Sequence, residues 1–190
     1  MLYQIISLLL DVAVGLVSGA CLLRLYMQFQ RIPMSARAGN PLGPFIFSLT
    51  DWIVLPLRKV MPTMGPVDTA SLVAAFLLEL AQFSILWLLQ GAVQNMGVVL
   101  VLAVFGVVRI GLSTLTGLVL ISALLSWVQT RSSLAEWLVR LVAPFLAPVR
   151  RVLPLFGGID LSPLALLLAL QVAALILNAL QGFAVMAVAA

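Results

Sequence analysis

"PLRKVMP" at residues 56–62 and "PVRRVLP" at 148–154 each set two basic residues between two prolines, 92 residues apart. Slid by 92 residues, the surrounding windows align without a gap. Pro56, Arg58, Val60, Pro62, Gly65, Asp68 and Leu72 meet Pro148, Arg150, Val152, Pro154, Gly157, Asp160 and Leu164. Lys59 meets Arg151, Val67 meets Ile159, and Gly19 meets Gly111. Chance identities between apolar stretches fall mostly on Leu, so matches at Pro, Arg, Gly and Asp mark a duplication. The chain reads as two tandem units, residues 1–95 and 96–190.

The rest of the chain says where those units reside. Of 190 residues 64% are hydrophobic and only 8% charged, against about 25% charged in soluble domains. Such a chain cannot cover itself with water-compatible side chains, so it is a membrane protein. A bilayer core of about 30 Å needs roughly 20 apolar helical residues. Four stretches qualify: about 5–29, 69–90, 162–183, and a span within 98–128. The last is 31 residues long, which fits either one tilted helix or an interfacial piece followed by a span. The predicted fold is all-α, with an even number of spans per unit and therefore parallel repeats.

All ten prolines fall in 33–66 and 144–163. Proline breaks helices, so both windows read as irregular connectors. Eight of the ten Lys and Arg lie in these windows or on the approach to them, and none lies in 91–97 or at either terminus. The positive-inside rule then puts both connectors in the cytoplasm and both termini outside. No Lys or Arg precedes the first apolar run, so that run is expected to be a retained span rather than a cleaved signal.

Within each connector, "PFIFSLTDWIVL" at 44–55 and "LAEWLVRLVAPFLA" at 134–147 carry a tryptophan in a stretch unsuited to spanning. Trp52 and Trp137 beside Arg58, Lys59, Arg150 and Arg151 suit amphipathic helices in the headgroup region. The basic pairs would contact anionic lipid; the alternative is recognition of a partner protein or an anionic ligand. Arg58 and Arg150 each precede an aspartate, Asp68 and Asp160, by ten residues, so a turn at Gly65 or Gly157 allows them to pair. Both aspartates also sit where negative charge complements a helix N-terminus. In "DLSP", Ser162 reads as an N-cap, with Pro163 at the first helical position.

Charges inside spans are expensive. Asp11 lies toward the outer end of its span, and Arg24 near the cytoplasmic end, where it is expected to snorkel. Glu79 corresponds in the repeat to Gln171, with Asn178 seven residues beyond it on one helix face. With Arg109, these suggest an interior polar seam and a Glu79–Arg109 ion pair, serving as interhelical glue or as an ion path. Gly15 and Gly19 form a GxxxG face, and Ser113 with Gly117 a looser one. Both permit close helix packing within the bundle or self-association.

Reactive chemistry is sparse. With no histidine and a single cysteine, Cys21, the chain has no Ser–His or Cys–His pair and no zinc or haem ligand set. No catalytic residue, cofactor or metal is expected. The cations are too few and dispersed for a nucleic-acid surface.

The segments "LRLYMQF" (23–29), "NPLGPFIFSLTDWIVLPLRKVMPTMGPVDTASL" (40–72) and "LLSWVQTRSSLAEWLVRLVAPFLAPVRRVLP" (124–154), with "APVRRVLPLFGGIDLSPL" at 147–164, resemble the YggT family of small bacterial membrane proteins. Asn40, Pro41, Gly158 and the repeated Pro, Arg, Gly and Asp positions occupy the family motif, and Leu155–Phe156 depart from it by bulk. The resemblance implies an inner-membrane accessory or assembly role. It points to osmotic or potassium stress, to cell-division neighbourhoods, and to haem attachment among chloroplast relatives. The rival expectation is a small transporter or channel component using the polar seam.

Overall fold

The computed structural model describes residues 1–35, 39–61, 67–92, 95–127, 133–152 and 160–189. These residues form six helices: α1 Leu2–Phe29, α2 Leu42–Val60, α3 Thr69–Leu89, α4 Met96–Trp127, α5 Ser133–Val152 and α6 Ser162–Ala189. Four of them, α1, α3, α4 and α6, are long and apolar enough to cross a bilayer. The order long, short, long therefore occurs twice, once in each unit. Pro62, Gly65, Pro154, Gly157 and Gly158 of the repeated motif lie outside the described residues.

Two expectations are settled by helix continuity. The long third stretch is a single helix, α4, of 32 residues. The proline-rich windows are not irregular throughout: Pro56 lies inside α2, and Pro144 and Pro148 inside α5. A mid-helix proline costs about 3 kcal/mol, and packing of one face offsets it in each helix. In α2 the buried residues Gly43, Ile46, Thr50 and Val54 recur every three or four positions. In α5 they are Leu138, Leu141, Val142 and Leu146. Pro56, Pro144 and Pro148 are all exposed, so the backbone defects lie away from those faces.

Each unit packs alike. Helix α1 lies against α3 and α4 against α6, while α2 rests on α1 and α3, and α5 on α4 and α6. The units join through α4, which touches both α1 and α3. At the connector end of the bundle, a core cluster unites Met27 of α1 and Ile46 of α2 with Val119 of α4, Leu141 of α5 and Leu170 of α6. Two hydrogen bonds reinforce that union. The Tyr26 hydroxyl donates to the Leu141 carbonyl at 2.7 Å, and the Trp137 indole N–H donates to the Gly39 carbonyl at 3.2 Å. The Tyr26 ring also stacks at 5.6 Å from that of Phe145.

Gly15 and Gly19 face α4, where a β-carbon on Gly19 would stand 2.9 Å from the Thr114 hydroxyl and one on Gly15 3.5 Å from Ile110. The GxxxG face is thus taken up by the junction between the units. Gly19→Leu should force α1 and α4 apart and destabilise by about 1–3 kcal/mol, the usual cost of overpacking. Thermal unfolding in detergent should show the loss, whereas Gly117→Ala, at a helical position with nothing within 4 Å of a β-carbon, should change stability less.

Candidate functional site

The densest polar cluster forms where α1, α2 and the start of α3 meet. Helical periodicity aligns Phe47, Thr50, Asp51 and Arg58 along one side of α2, and Cys21, Arg24 and Gln28 along one side of α1. The Arg24 side chain is only 2% exposed. Its guanidinium donates to Thr50 Oγ1 and Asp51 Oδ1, both at 2.7 Å, with Nε 3.8 Å from Asp68 Oδ2. Phe47 covers its face at 4.8 Å from the ring centroid. Arg58 donates to Asp68 Oδ2 and, at 3.2 Å, to Gln28 Oε1. Ser71 adds a 2.8 Å hydrogen bond to the same Asp68 oxygen. Arg24 and Arg58 therefore balance Asp51 and Asp68.

This arrangement corrects the snorkelling assignment of Arg24. Instead of reaching past the bundle, the side chain turns inward, because α2 folds back over the end of α1 and supplies an acceptor pair. Some polar atoms stay unmatched: Asp68 Oδ1, Arg24 Nε and Arg58 Nε have no hydrogen-bond partner. Burial by itself would raise the Asp68 carboxyl, but the hydrogen bonds from Arg58 and Ser71 and the Arg58 charge outweigh it, and hold Asp68 below the usual carboxylate range.

The second corner is built differently. Arg150 Nε and Nη2 both approach Asp160 Oδ2, at 2.9 and 2.8 Å, with side chains 50% and 31% exposed. Asp160 Oδ1 accepts the Ser162 backbone N–H at 2.9 Å. The capping acceptor of α6 is thus Asp160 rather than Ser162, which is itself the first helical residue and is buried. Pro163 follows in the first turn. At the positions equivalent to Arg24, Thr50 and Asp51 stand Thr116, Val142 and Ala143. Both members of the Arg24–Asp51 pair have neutral counterparts, and that joint replacement was the one sequence signal for their pairing.

The remaining predicted residues divide among separate places. Lys59 and Arg151 are exposed, and among the described residues neither pairs with a carboxylate. Trp52 is 62% exposed, its indole N–H donating to the Leu49 carbonyl at 2.8 Å. Trp137 is half-buried, under the Arg140 guanidinium at 5.0 Å.

The polar seam is split by α4. Glu79 is buried, and its carboxylate lies against Gly106, where any β-carbon would collide with it. One turn along α3, Gln82 donates to Asp11 of α1. Arg109 instead rests on the Phe83 ring, 5.9 Å from its centroid, and lines a groove with Gln171 between α4 and α6. Gln171 and Asn178 are both exposed on α6. The Glu79–Arg109 ion pair is not formed. Gly106 and Arg109 are three residues apart, about 60° around the helix, so both face Phe83 of α3. Arg109 sits at the edge of that face, where it also lines the α6 groove and stays more than 4 Å from Glu79. Among the described residues no group of His, Cys, Asp or Glu is placed to hold a metal ion.

The geometry defines a class: a helical membrane protein of four spans in two parallel units, each closed by an amphipathic helix pinned through an Arg–Asp corner. The CCB3/YggT family model matches residues 3–89 and 101–181, one segment per unit, and the chain belongs to that family. It is 34% identical over 171 residues to the uncharacterized protein YggT of Escherichia coli K12, covering 88% of this chain and 86% of the relative. It is 33% identical over 181 residues to an uncharacterized protein in the proC 3'region of Vibrio alginolyticus, covering 94% of each. An uncharacterized protein of Haemophilus influenzae is 34% identical over 151 residues, covering 77% of this chain and 76% of the relative. No solved structure matches.

Removing one member of an ion pair costs up to about 3–5 kcal/mol when the partner left behind is buried and uncompensated, which holds for Arg24, 2% exposed, and not for Asp51, 41% exposed. Asp51→Leu should therefore destabilise strongly, and the double variant Arg24→Leu, Asp51→Leu should recover part of the loss in detergent unfolding. The lowered Asp68 value fixes the sign of a pH effect. Its stabilisation is complete above the ordinary carboxylate range and lost as pH falls through the depressed value. Acid titration of unfolding should show that loss, and Asp68→Asn should flatten it.

Proposed function

We propose that this chain is a non-enzymatic accessory or assembly protein of the bacterial inner membrane, stabilising a larger membrane complex. Its connectors face the cytoplasm and its termini the periplasm, following the distribution of cations. Loss of such a protein would be felt under osmotic or ion stress, when the membrane and its complexes are strained.

The observation that carries this reading is the pinned α2. Its polar stripe is consumed by the charge network, so what it turns outward is Phe45 at 61%, Trp52 at 62% and Leu55 at 48% exposure, with Lys59 free beside them. Apolar side chains next to unpaired cations suit the boundary of an anionic leaflet. On α5 the matching Arg151 is also free. Within the two basic pairs, Arg58 and Arg150 hold the corners shut, which leaves Lys59 and Arg151 to meet headgroups or a partner's acidic surface. The transporter reading gains less support, because α4 separates Glu79 from Gln171 and interrupts the seam on which it relied.

Lipid nanodiscs test this directly. Increasing anionic phospholipid should raise the melting temperature of the wild type, and Lys59→Glu with Arg151→Glu should remove most of that dependence while Glu79→Gln keeps it. An unchanged dependence in the double variant would sink the lipid contact. Orientation is tested separately: a cysteine at Lys59 should be labelled only from the cytoplasmic side, and one at Ala92 only from the outside.

A further inference from the structure

Beside the α4–α6 groove, Arg109 is partly exposed at mid-span, resting on the Phe83 ring of α3. Arg109 lies 13 residues after Met96 and 18 before Trp127, near the middle of α4. That is about 20 Å from the nearer helix end, too deep for the side chain to reach headgroups. Among the described residues no carboxylate stands within 4 Å of it. The groove has a volume of about 200 Å³, and Arg109, Ser113, Thr116 and Gln171 supply its polar lining. On the same stripe of α4, a β-carbon at Gly117 would meet nothing within 4 Å. Gly182, on the α6 stripe of Gln171 and Asn178, is equally open. A cation and amides left against hydrocarbon are costly, and small residues beside them permit a helix backbone to approach closely.

The duplication shows what shape belongs there. Gln171 is the counterpart of Glu79, and Glu79 is buried because α4 lies over it with Gly106 at the contact. Helix α3 is thus covered by the first helix of the following unit. Among the described residues, no helix stands against α6 in the place that α4 takes against α3. Helix α6 contacts α4 and α5, and only 6% of its apolar window is buried, against 22% for α3. We propose that this groove receives a transmembrane helix of another protein, one carrying an Asp or Glu at mid-membrane depth opposite Arg109. The inference rests on the accessory reading above and adds the chemistry of the partner.

Charge decides against the other occupants. Two copies meeting symmetrically on this face would oppose Arg109 with Arg109. A second copy that repeats the α3–α4 contact would insert its α1, whose carboxylate Asp11 already accepts from Gln82. Asp11 corresponds in the repeat to Ala103, six residues from the level of Arg109, an offset of about 9 Å.

The test uses the full chain in vesicles of zwitterionic lipid, labelled for energy transfer to a synthetic Leu/Ala transmembrane peptide with one central Glu. Binding should be about tenfold tighter than to the same peptide with Leu, as expected for one good intramembrane polar contact. Arg109→Leu should abolish the preference, and Arg109→Glu should transfer it to a peptide bearing a central Lys. Equal binding of both peptides to the wild type, or a preference that survives Arg109→Leu, overturns the proposal. So does transfer between two labelled copies that is lost in Asp11→Asn, since a second copy would then fill the groove. A several-fold gain on Glu79→Gln also overturns it, by showing that Arg109 is engaged inside the chain. The Lys59/Arg151 lipid experiment is independent of this face, so failure of the helix-docking proposal and failure of the accessory reading are told apart.

Discussion

Arg24 is the constraint around which the first unit is arranged. A guanidinium 2% exposed at the end of a spanning helix is tolerable only where carboxylates and hydroxyls replace its water. Thr50 and Asp51 come from α2, Asp68 and Ser71 from the entry to α3, and Arg58 balances the second carboxylate. Satisfying that one cation therefore fixes the helix α2 against both spans. The chain between α1 and α3 is then a docked helix rather than a loose loop, despite its prolines.

The second unit reaches the same outline by other physics. Without counterparts to Arg24 and Asp51, α5 is held by Leu138, Leu141, Val142 and Leu146 in the apolar core and by Tyr26 and Trp137 bonds to the first unit. Its Arg150–Asp160 pair is half in water, where an ion pair contributes roughly 0–1 kcal/mol. The Arg58–Asp68 pair is buried on the carboxylate side and belongs to a network. One repeated motif therefore performs two tasks: the first corner clamps a charge, and the second caps a helix.

Much of this architecture was legible because it depends on features that repeat or accumulate. Span lengths follow from runs of apolar residues, and the unit boundary from matched Pro, Arg, Gly and Asp. The ten-residue Arg–Asp spacing is local enough for both pairings to be anticipated. Arg24 with Asp51 was not, since 27 residues and a change of helix separate them, and Arg24 alone reads as a snorkelling cation. The connector helices at 44–55 and 134–147 were anticipated, and the prolines misled only about their extent, since α2 and α5 run on through Pro56 and Pro148. Their penalty is a local propensity, and burial of one side of α2 and of α5 overrides it. The Glu79–Arg109 pair failed on a finer point: the two share a depth and a side of α4, but Arg109 lies on the Phe83 ring at the edge of that face, and Gln171 stands beyond it on the α6 side.

The two units do not meet reciprocally. Helix α3 packs on α4, but α6 makes no comparable contact with α1, so the relation is a repeated step rather than a closing rotation. Among the described residues, no helix covers α6 as α4 covers α3. The sequence has not made that surface uniformly greasy, as a simple lipid-facing cap would be. It keeps Arg109, Ser113, Gln171 and Asn178 on the open flank, while the corresponding flank of the first unit is covered by α4. An exposed polar surface in hydrocarbon is a standing cost, and one retained beside two unoccupied glycines has the character of an unfinished interface. The duplication thus accounts for both the covered flank of the first unit and the open flank on which the docking proposal rests.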